Sequence, residues 1–164
     1  MTDSSPSLEV PLHIFRFKVE FQEASIDEAV GSAVSLVDGY FSEVSGLDAT
    51  MEPKTIQVGG MNYGVVQRPG RVSFATVILR RGITTRRHLW QWFELMNVSG
   101  AYKHRLQVTI TLQDHSGEPQ LKWTLERAMP IRFKSPDLNA MTGDDVGIEE
   151  IHLAHEGLRY EVVG

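Results

Sequence analysis

Y-F-S-E-V-S-G-L-D-A-T-M-E-P-K-T-I-Q-V-G-G, Tyr40–Gly60, is the stretch around which the chain organises itself. It reads as two strands, Tyr40–Ser45 and Thr50–Val58, joined by a short turn at Gly46–Ala49. Glycine permits a positive φ and aspartate can bond its own backbone, so Gly46 and Asp48 supply turn chemistry. Pro53 cannot donate to a strand ladder, so it marks an edge, a bulge or a strand end. The expectation is a long hairpin with one side left for something else to pair with.

Working outward, His13–Phe21 alternates cleanly, with Phe15, Phe17, Val19 and Phe21 on one face and Arg16, Lys18 and Glu20 on the other. A period of two is a half-buried strand, and its aromatic face is core. Residues 1–12 are a polar lead-in expected to be flexible, and 13–164 a single domain. Between Gln22 and Asp38, Ile26, Val30, Ala33, Val34 and Val37 fit one helical face, but Gly31 and the serines fit a long loop equally.

Past the opening hairpin, V-G-G-M-N-Y-G-V-V-Q-R-P-G (58–70) is rich in glycine and reads as an irregular excursion. Its Met61, Tyr63, Val65 and Val66 either fold back on the core or contact another chain. Arg71–Leu79 is apolar on both faces, as in a strand covered on both sides. Thr84 or Thr85 can cap a helix running to about Asn97, with Leu89, Trp92, Phe93 and Met96 as one stripe, Trp90 off its centre and Gly100 after it.

Leu106–Gln113 and Leu121–Arg127 form a second hairpin about a turn at Ser116-Gly117. Its apolar face is Leu106, Val108, Ile110, Leu112, Leu121, Trp123 and Leu125. Its other face is Gln107, Thr109, Thr111, Gln113, Lys122, Thr124 and Glu126, which by default faces solvent. Ala128–Phe133 is extended around Pro130, and Ser135–Gly143 is a loop. Asp145–Leu153 is a strand whose two halves differ in parity, which a bulge near Glu149-Glu150 would reconcile. Leu158–Val163 ends the chain. About eight strands and one helix give a mainly β protein, an antiparallel sandwich or open barrel.

Composition excludes several functions. The 164 residues carry a net charge of −5 with scattered basic residues, which gives no footprint for nucleic acid. Cysteine is absent, so there is no disulfide, thiol catalysis or thiolate metal site. The first residues show neither the basic nor the apolar region of a signal peptide, and no apolar run approaches the ~20 residues of a membrane helix. His152 and His155 fall on opposite faces of a strand, which suits no metal. Asp144-Asp145 and Glu149-Glu150 diverge as neighbours, which suits no acid–base dyad. Gly59-Gly60 and Gly64 lack the context of a phosphate loop, and Ser99 and Ser116 that of a nucleophile elbow. The expectation is a non-enzyme without cofactor or metal.

The succession F-S-E-V-S-G-L (41–47), G-G (59–60), V-S-F-A-T-V-I-L-R-R-G-I-T (72–84) and H-L-W-Q-W-F (88–93) resembles the tail tube proteins of contractile phages and related injection particles. W-T-L-E-R-A-M-P-I-R-F (123–133) and I-E-E-I-H-L-A-H-E-G-L (148–158) continue the resemblance in order. It implies six copies in a ring and rings stacked into a hollow tube within a contractile sheath, assembled in the bacterial cytoplasm. Baseplate and spike components would be further partners, cargo would pass through the lumen, and the chain would bind no membrane. By position, hairpins 40–58 and 106–127 would line the channel. Gln107, Thr109, Thr111, Gln113, Lys122, Thr124 and Glu126 would then point into the lumen. Pro53, Met61, Tyr63, Val65 and Val66 would lie between subunits or rings. Two other classes share the pattern: a ring-forming tube component of type VI secretion, and a monomeric barrel for a small ligand.

Overall fold

The structure, a computed structural model, describes residues 11–14, 16–23, 41–60, 62–98 and 105–163. The helix-or-loop segment 24–38, the lead-in before residue 11, Gly100, Phe15 and Met61 lie outside them. Eleven strands and one helix are present among the described residues.

The second hairpin forms as expected and is the spine of the molecule. Strands β8 (Leu106–Gln113) and β9 (Pro119–Lys134) pair antiparallel, with Ile110 opposite Trp123 and Thr109 opposite Thr124. The turn between them is locked by Asp114. Its Oδ1 accepts from the Ser116 and Glu118 amides at 2.9 Å, and from the Ser116 hydroxyl at 2.7 Å. The Ser116 hydroxyl first, then the Glu118 amide, holds this carboxyl below its ordinary range, because these bonds favour the charged form.

Strand β9 is long enough to belong to two sheets. Its first half pairs with β8 and with β11 (Gly157–Val162); its second half pairs with β10 (Ile148–Ala154). Between the halves the pairing slips where Leu106 faces Ala128 but Val108 faces Leu125, and Arg127 there adopts φ 50°. An extra residue in one strand bends it and raises its twist, which carries β9 from one sheet into the other. Strand β1 (Phe17–Glu23) completes the first sheet beyond β8. Strands β7 (Val77–Gly82) and β2 (Glu43–Ser45) complete the second beyond β10.

The core lies between these sheets. Val19, Val108, Ile110 and Leu125 come from the first, and Val77, Leu79, Ile151 and Leu153 from the second. Helix α1 (His88–Val98) bridges them: Leu89 and Trp92 are buried, Trp92 meets Phe21 edge-on at 5.8 Å, and Trp90 meets Phe133 at 5.4 Å. Trp90 is partly exposed, as its place off the stripe predicts. The helix starts later than expected. Thr84 spends its hydroxyl on the Arg86 amide at 3.3 Å, in a turn ahead of the helix.

The opening stretch differs from its reading. Tyr40–Ser45 and Thr50–Val58 do not pair with each other. Instead β2 pairs with β7, β3 (Ala49–Met51) with β6 (Val72–Phe74), and β4 (Lys54–Ile56) with β5 (Val66–Arg68). Residues 41–56 and 66–82 thus form one long two-stranded ribbon, whose tip is 57–65. Gly46 is a point of close approach: at φ +86°, a Cβ there would lie 2.0 Å from the Thr76 carbonyl oxygen. Gly70 does the same against the Glu52 carbonyl oxygen, at 1.9 Å. Pro53 stands between β3 and β4, at a strand end. The single strand expected over Arg71–Leu79 is broken at Ala75-Thr76, and only its second half enters the core.

The bulge expected near Glu149-Glu150 is also absent. Register runs unbroken from Ile148 opposite Gly82 to Leu153 opposite Val77. Glu149 itself takes the core-facing position beside Ile151 and Leu153, and is buried in an ion pair with Arg81. Val146 and Ile148 are left exposed on the outer face.

Candidate assembly surfaces

Three surfaces of the chain are candidates for contact, and strand register lays out the first two. The first is the polar face of the β1-β8-β9-β11 sheet. Glu20, Thr109, Thr124 and Arg159 form one row across it, and Lys18, Thr111, Lys122 and Glu161 the next. Lys18 pairs with Glu20, and Arg159 with Glu126. The hairpin alone shows one charge of each sign; β1 and β11 add Lys18, Glu20, Arg159 and Glu161, still in balance. Thr109 and Thr124 are only 5% and 6% exposed within the single chain, which corrects their reading as open surface. Short side chains on central strands are flanked by longer ones, so the outermost layer is charged. Gln107, Thr111, Gln113, Lys122 and Glu126 are half-buried on the same face.

The second surface is the ribbon. Every described residue from Ala49 to Pro69 is exposed, including Met51, Pro53, Ile56, Val58, Val65 and Val66, and Tyr63 is 91% exposed. A two-stranded ribbon with no packed face is marginal alone, and its apolar side chains suit a neighbour.

The third is a groove of about 670 Å³ on the outer face of the second sheet, beneath loop 135–147. Arg80 crosses its floor, donating to Glu43 at 3.0 Å and, through Nε, to Glu150 at 3.0 Å. Glu150 also meets His152. The His152 ring first, then Arg80, holds the Glu150 carboxyl below its ordinary range. Leu138 and Met141 on the loop are 93% and 92% exposed. Sequence reading missed this groove and the Arg81–Glu149 pair. The signal for the pair was a glutamate at the parity of Ile151 and Leu153.

His155 lies against Phe74 with the two rings tilted and 5.1 Å apart, and its Nδ1 lies 3.0 Å from the Gly157 carbonyl oxygen; burial pushes its pKa down. Among the described residues, no three His, Asp or Glu side chains converge as a metal site.

The sequence profile of the T4-like virus tail tube protein gp19 matches residues 13–159. No curated protein sequence matches the chain. Among solved structures, it resembles a chain of the PVC sheath-tube complex of an extracellular contractile injection system, in the extended state. That likeness has TM-score 0.76 and 25% identity, and covers 95% of each chain. A chain of the anti-feeding prophage baseplate, six-fold symmetrised, is similar at TM-score 0.75 and 26% identity, over 94% of this chain and 97% of that one. An Hcp protein crystal structure shares the fold, at TM-score 0.53 and 13% identity over 88% of this chain and 91% of that one. The matched span takes in the β8–β9 spine, the ribbon, the helix and the shared strand, and the chain therefore belongs to the T4-like virus tail tube protein family, as a tail tube protein of contractile injection systems.

Proposed function

We propose that six copies close into a ring, that rings stack into a hollow tube, and that the balanced polar face of β1, β8, β9 and β11 lines its lumen. The observation that carries this reading is the first sheet itself. Its outer strands, β1 and β11, each pair on one side only among the described residues. Open edges of this kind invite strands from another copy, and closing the wall removes them. A ring of identical contacts is heterologous and closed, whereas its stacking is open-ended. The six-fold treatment of the baseplate relative supports the ring number.

Within that tube, Gln107, Thr109, Thr111, Gln113, Lys122, Thr124 and Glu126 belong to the lumen wall, with Lys18, Glu20, Arg159 and Glu161 beside them. Balanced charge holds water there without strong adhesion to a passing DNA or protein cargo. Pro53, Tyr63, Val65 and Val66, with Met61 between them in sequence, belong to contacts between copies. The role is structural rather than catalytic. Sheath and baseplate are the expected partners, since the relatives come from a sheath-tube complex and a baseplate. Assembly takes place in the bacterial cytoplasm. A monomeric small-ligand barrel gains no support from a core filled by Trp92, Leu79 and Ile151.

Negative-stain microscopy of the purified protein, beside light scattering, tests the reading. Six-fold rings or hollow tubes are the expected result; a monomer at every concentration, even with baseplate present, would remove it.

A further inference from the structure

We propose that His155 is an acid-sensitive latch at the root of the ribbon: as a neutral ring it holds Phe74 and fixes the ribbon to the body, and on protonation it lets Phe74 go. The latch belongs to the single chain; its consequence for assembly rests on the tube reading above.

The root is a gap in the ladder. Pairing between β2 and β7 ends with Ser45 opposite Ile78, and pairing resumes with Ala49 opposite Phe74. Between them the Ala75 amide donates to the Asp48 carbonyl at 3.2 Å. One strand of the root is fixed by Leu47, which packs against the core, and by the close approach of Gly46 to Thr76. The other is fixed through Phe74. Of the residues in β3, β4, β5 and β6, Phe74 alone is partly withdrawn from solvent, and its ring lies 5.1 Å from that of His155. A hinge of a few residues held by one packed side chain opens locally at low cost.

The site favours a neutral ring. A carbonyl oxygen only accepts, so the His155 Nδ1, 3.0 Å from the Gly157 oxygen, carries the proton. A second proton must go to Nε2, which is buried and has no hydrogen-bond partner among the described residues. Burial is the largest influence on the ring and opposes its charge; the Gly157 and Ala75 carbonyls favour the charge and do not offset it. Nearby charges are engaged elsewhere. Glu156, on the same turn, pairs with Arg105 ahead of β8 and with Arg127 of β9, and Glu126 of β9 pairs with Arg159 of β11. Asp48 is the acid on the facing loop of the root. No side-chain charge counts among the influences on the ring.

A cation formed here gains by reaching water, and parting from Phe74 exposes it. The latch is therefore closed above about 6.5 and opens as pH falls through the depressed folded value. In a tube whose copies meet through the ribbon, acid would loosen those contacts while the sandwich stays folded.

Amide exchange at about pH 7.5 and about pH 5, corrected for its intrinsic pH dependence, tests the latch. It is read on the wild-type chain and on Tyr63→Asp/Val65→Asp, whose tip substitutions keep it unassembled. Protection over 47–50 and 72–76 should fall about tenfold with acid, and protection over 106–113 should hold. His155→Phe, with an uncharged ring, should abolish the fall. His155→Gln, which does not titrate either, repeats the test where the larger ring disturbs the turn. A fall that survives both substitutions, a fall that spreads over 106–113, or no fall in the unassembled chain overturns the proposal. Protection that rises with acid means that the charged ring grips Ala75, and overturns it as well. Wild-type tubes should come apart in acid while His155→Phe tubes persist; equal persistence overturns the consequence for assembly. Wild-type protein that forms no tube at either pH removes the tube reading and leaves the latch to the exchange result.

Discussion

The β8–β9 hairpin and the 49–74 ribbon are both antiparallel pairs with apolar residues at frequent intervals, yet they end in opposite environments. Along β8, Leu106, Val108, Ile110 and Leu112 are buried by the facing sheet. Along the ribbon, Met51, Ile56, Val58, Val65 and Val72 are all exposed. The contrast separates two uses of the same residues. A strand face stabilises its own chain only when another layer covers it, at roughly 25 cal/mol per Å² buried. Among the described residues no such layer covers the ribbon, and its apolar residues stay exposed.

The sharpest way to test this division is to cut into the covered part. Trp92→Ala empties the position where α1 meets Phe21 and should cost about 3–5 kcal/mol, read as a lowered denaturant midpoint. A cost like that of a surface change would place the core elsewhere.

Gly46 stands at the joint between the two regions. Gly46→Ala drives a Cβ into the Thr76 carbonyl and should cost about 2–3 kcal/mol, with faster amide exchange in β3 and β6 than in β8. A uniform rise across both regions would mean that the joint is not local.

His155 lies at the same joint, against Phe74 of the ribbon. Burial lowers its pKa, so the unfolded chain binds the proton more readily than the folded one. The stabilisation of the neutral ring is complete above about 6.5 and is lost as pH falls through the depressed folded value. Glu150 and Asp114, also depressed, contribute stability present above their ordinary values of 4.5 and 3.8 and lost as pH falls further. Melting temperature against pH should therefore fall in two steps. His155→Leu should remove the upper step and keep the lower one; loss of both together would reject the assignment.

The smallest effect on the chain itself belongs to the tip. Tyr63→Asp with Val65→Asp should change monomer stability by less than about 0.5 kcal/mol, because neither side chain is covered. The same protein should form no tubes by negative stain. Undiminished tube yield would break the contrast between the two regions.

Much of the sandwich was legible because its signals are local. The period of two in 106–113 and 121–127, the Asp114–Gly117 turn and the stripe of Leu89, Trp92, Phe93 and Met96 each depend on neighbours in sequence. The ribbon was misread at Gly46 because turn chemistry and close approach use the same residue. A glycine with positive φ permits a reversal, but here it lets one strand pass beside Thr76. Glu149 was misread for a similar reason. The change of parity between Val146/Ile148 and Ile151/Leu153 suggested a bulge, whereas Val146 and Ile148 lie exposed and Glu149, paired with Arg81 on the adjacent strand, takes the core-facing position.

By itself, the sequence determined the mainly β class, the spine hairpin, the bridging helix and, through six ordered segments, the tube family. These rest on periodicity and turn residues, which act over a few positions. Only the tertiary structure decided that 41–56 pairs with 66–82, that β9 is shared by two sheets, and that a groove lies opposite the ribbon. Those outcomes depend on which strands meet across separations of 10 to 37 residues along the chain. Strand pairing is set by what the whole core can bury together, and local pattern leaves that choice open.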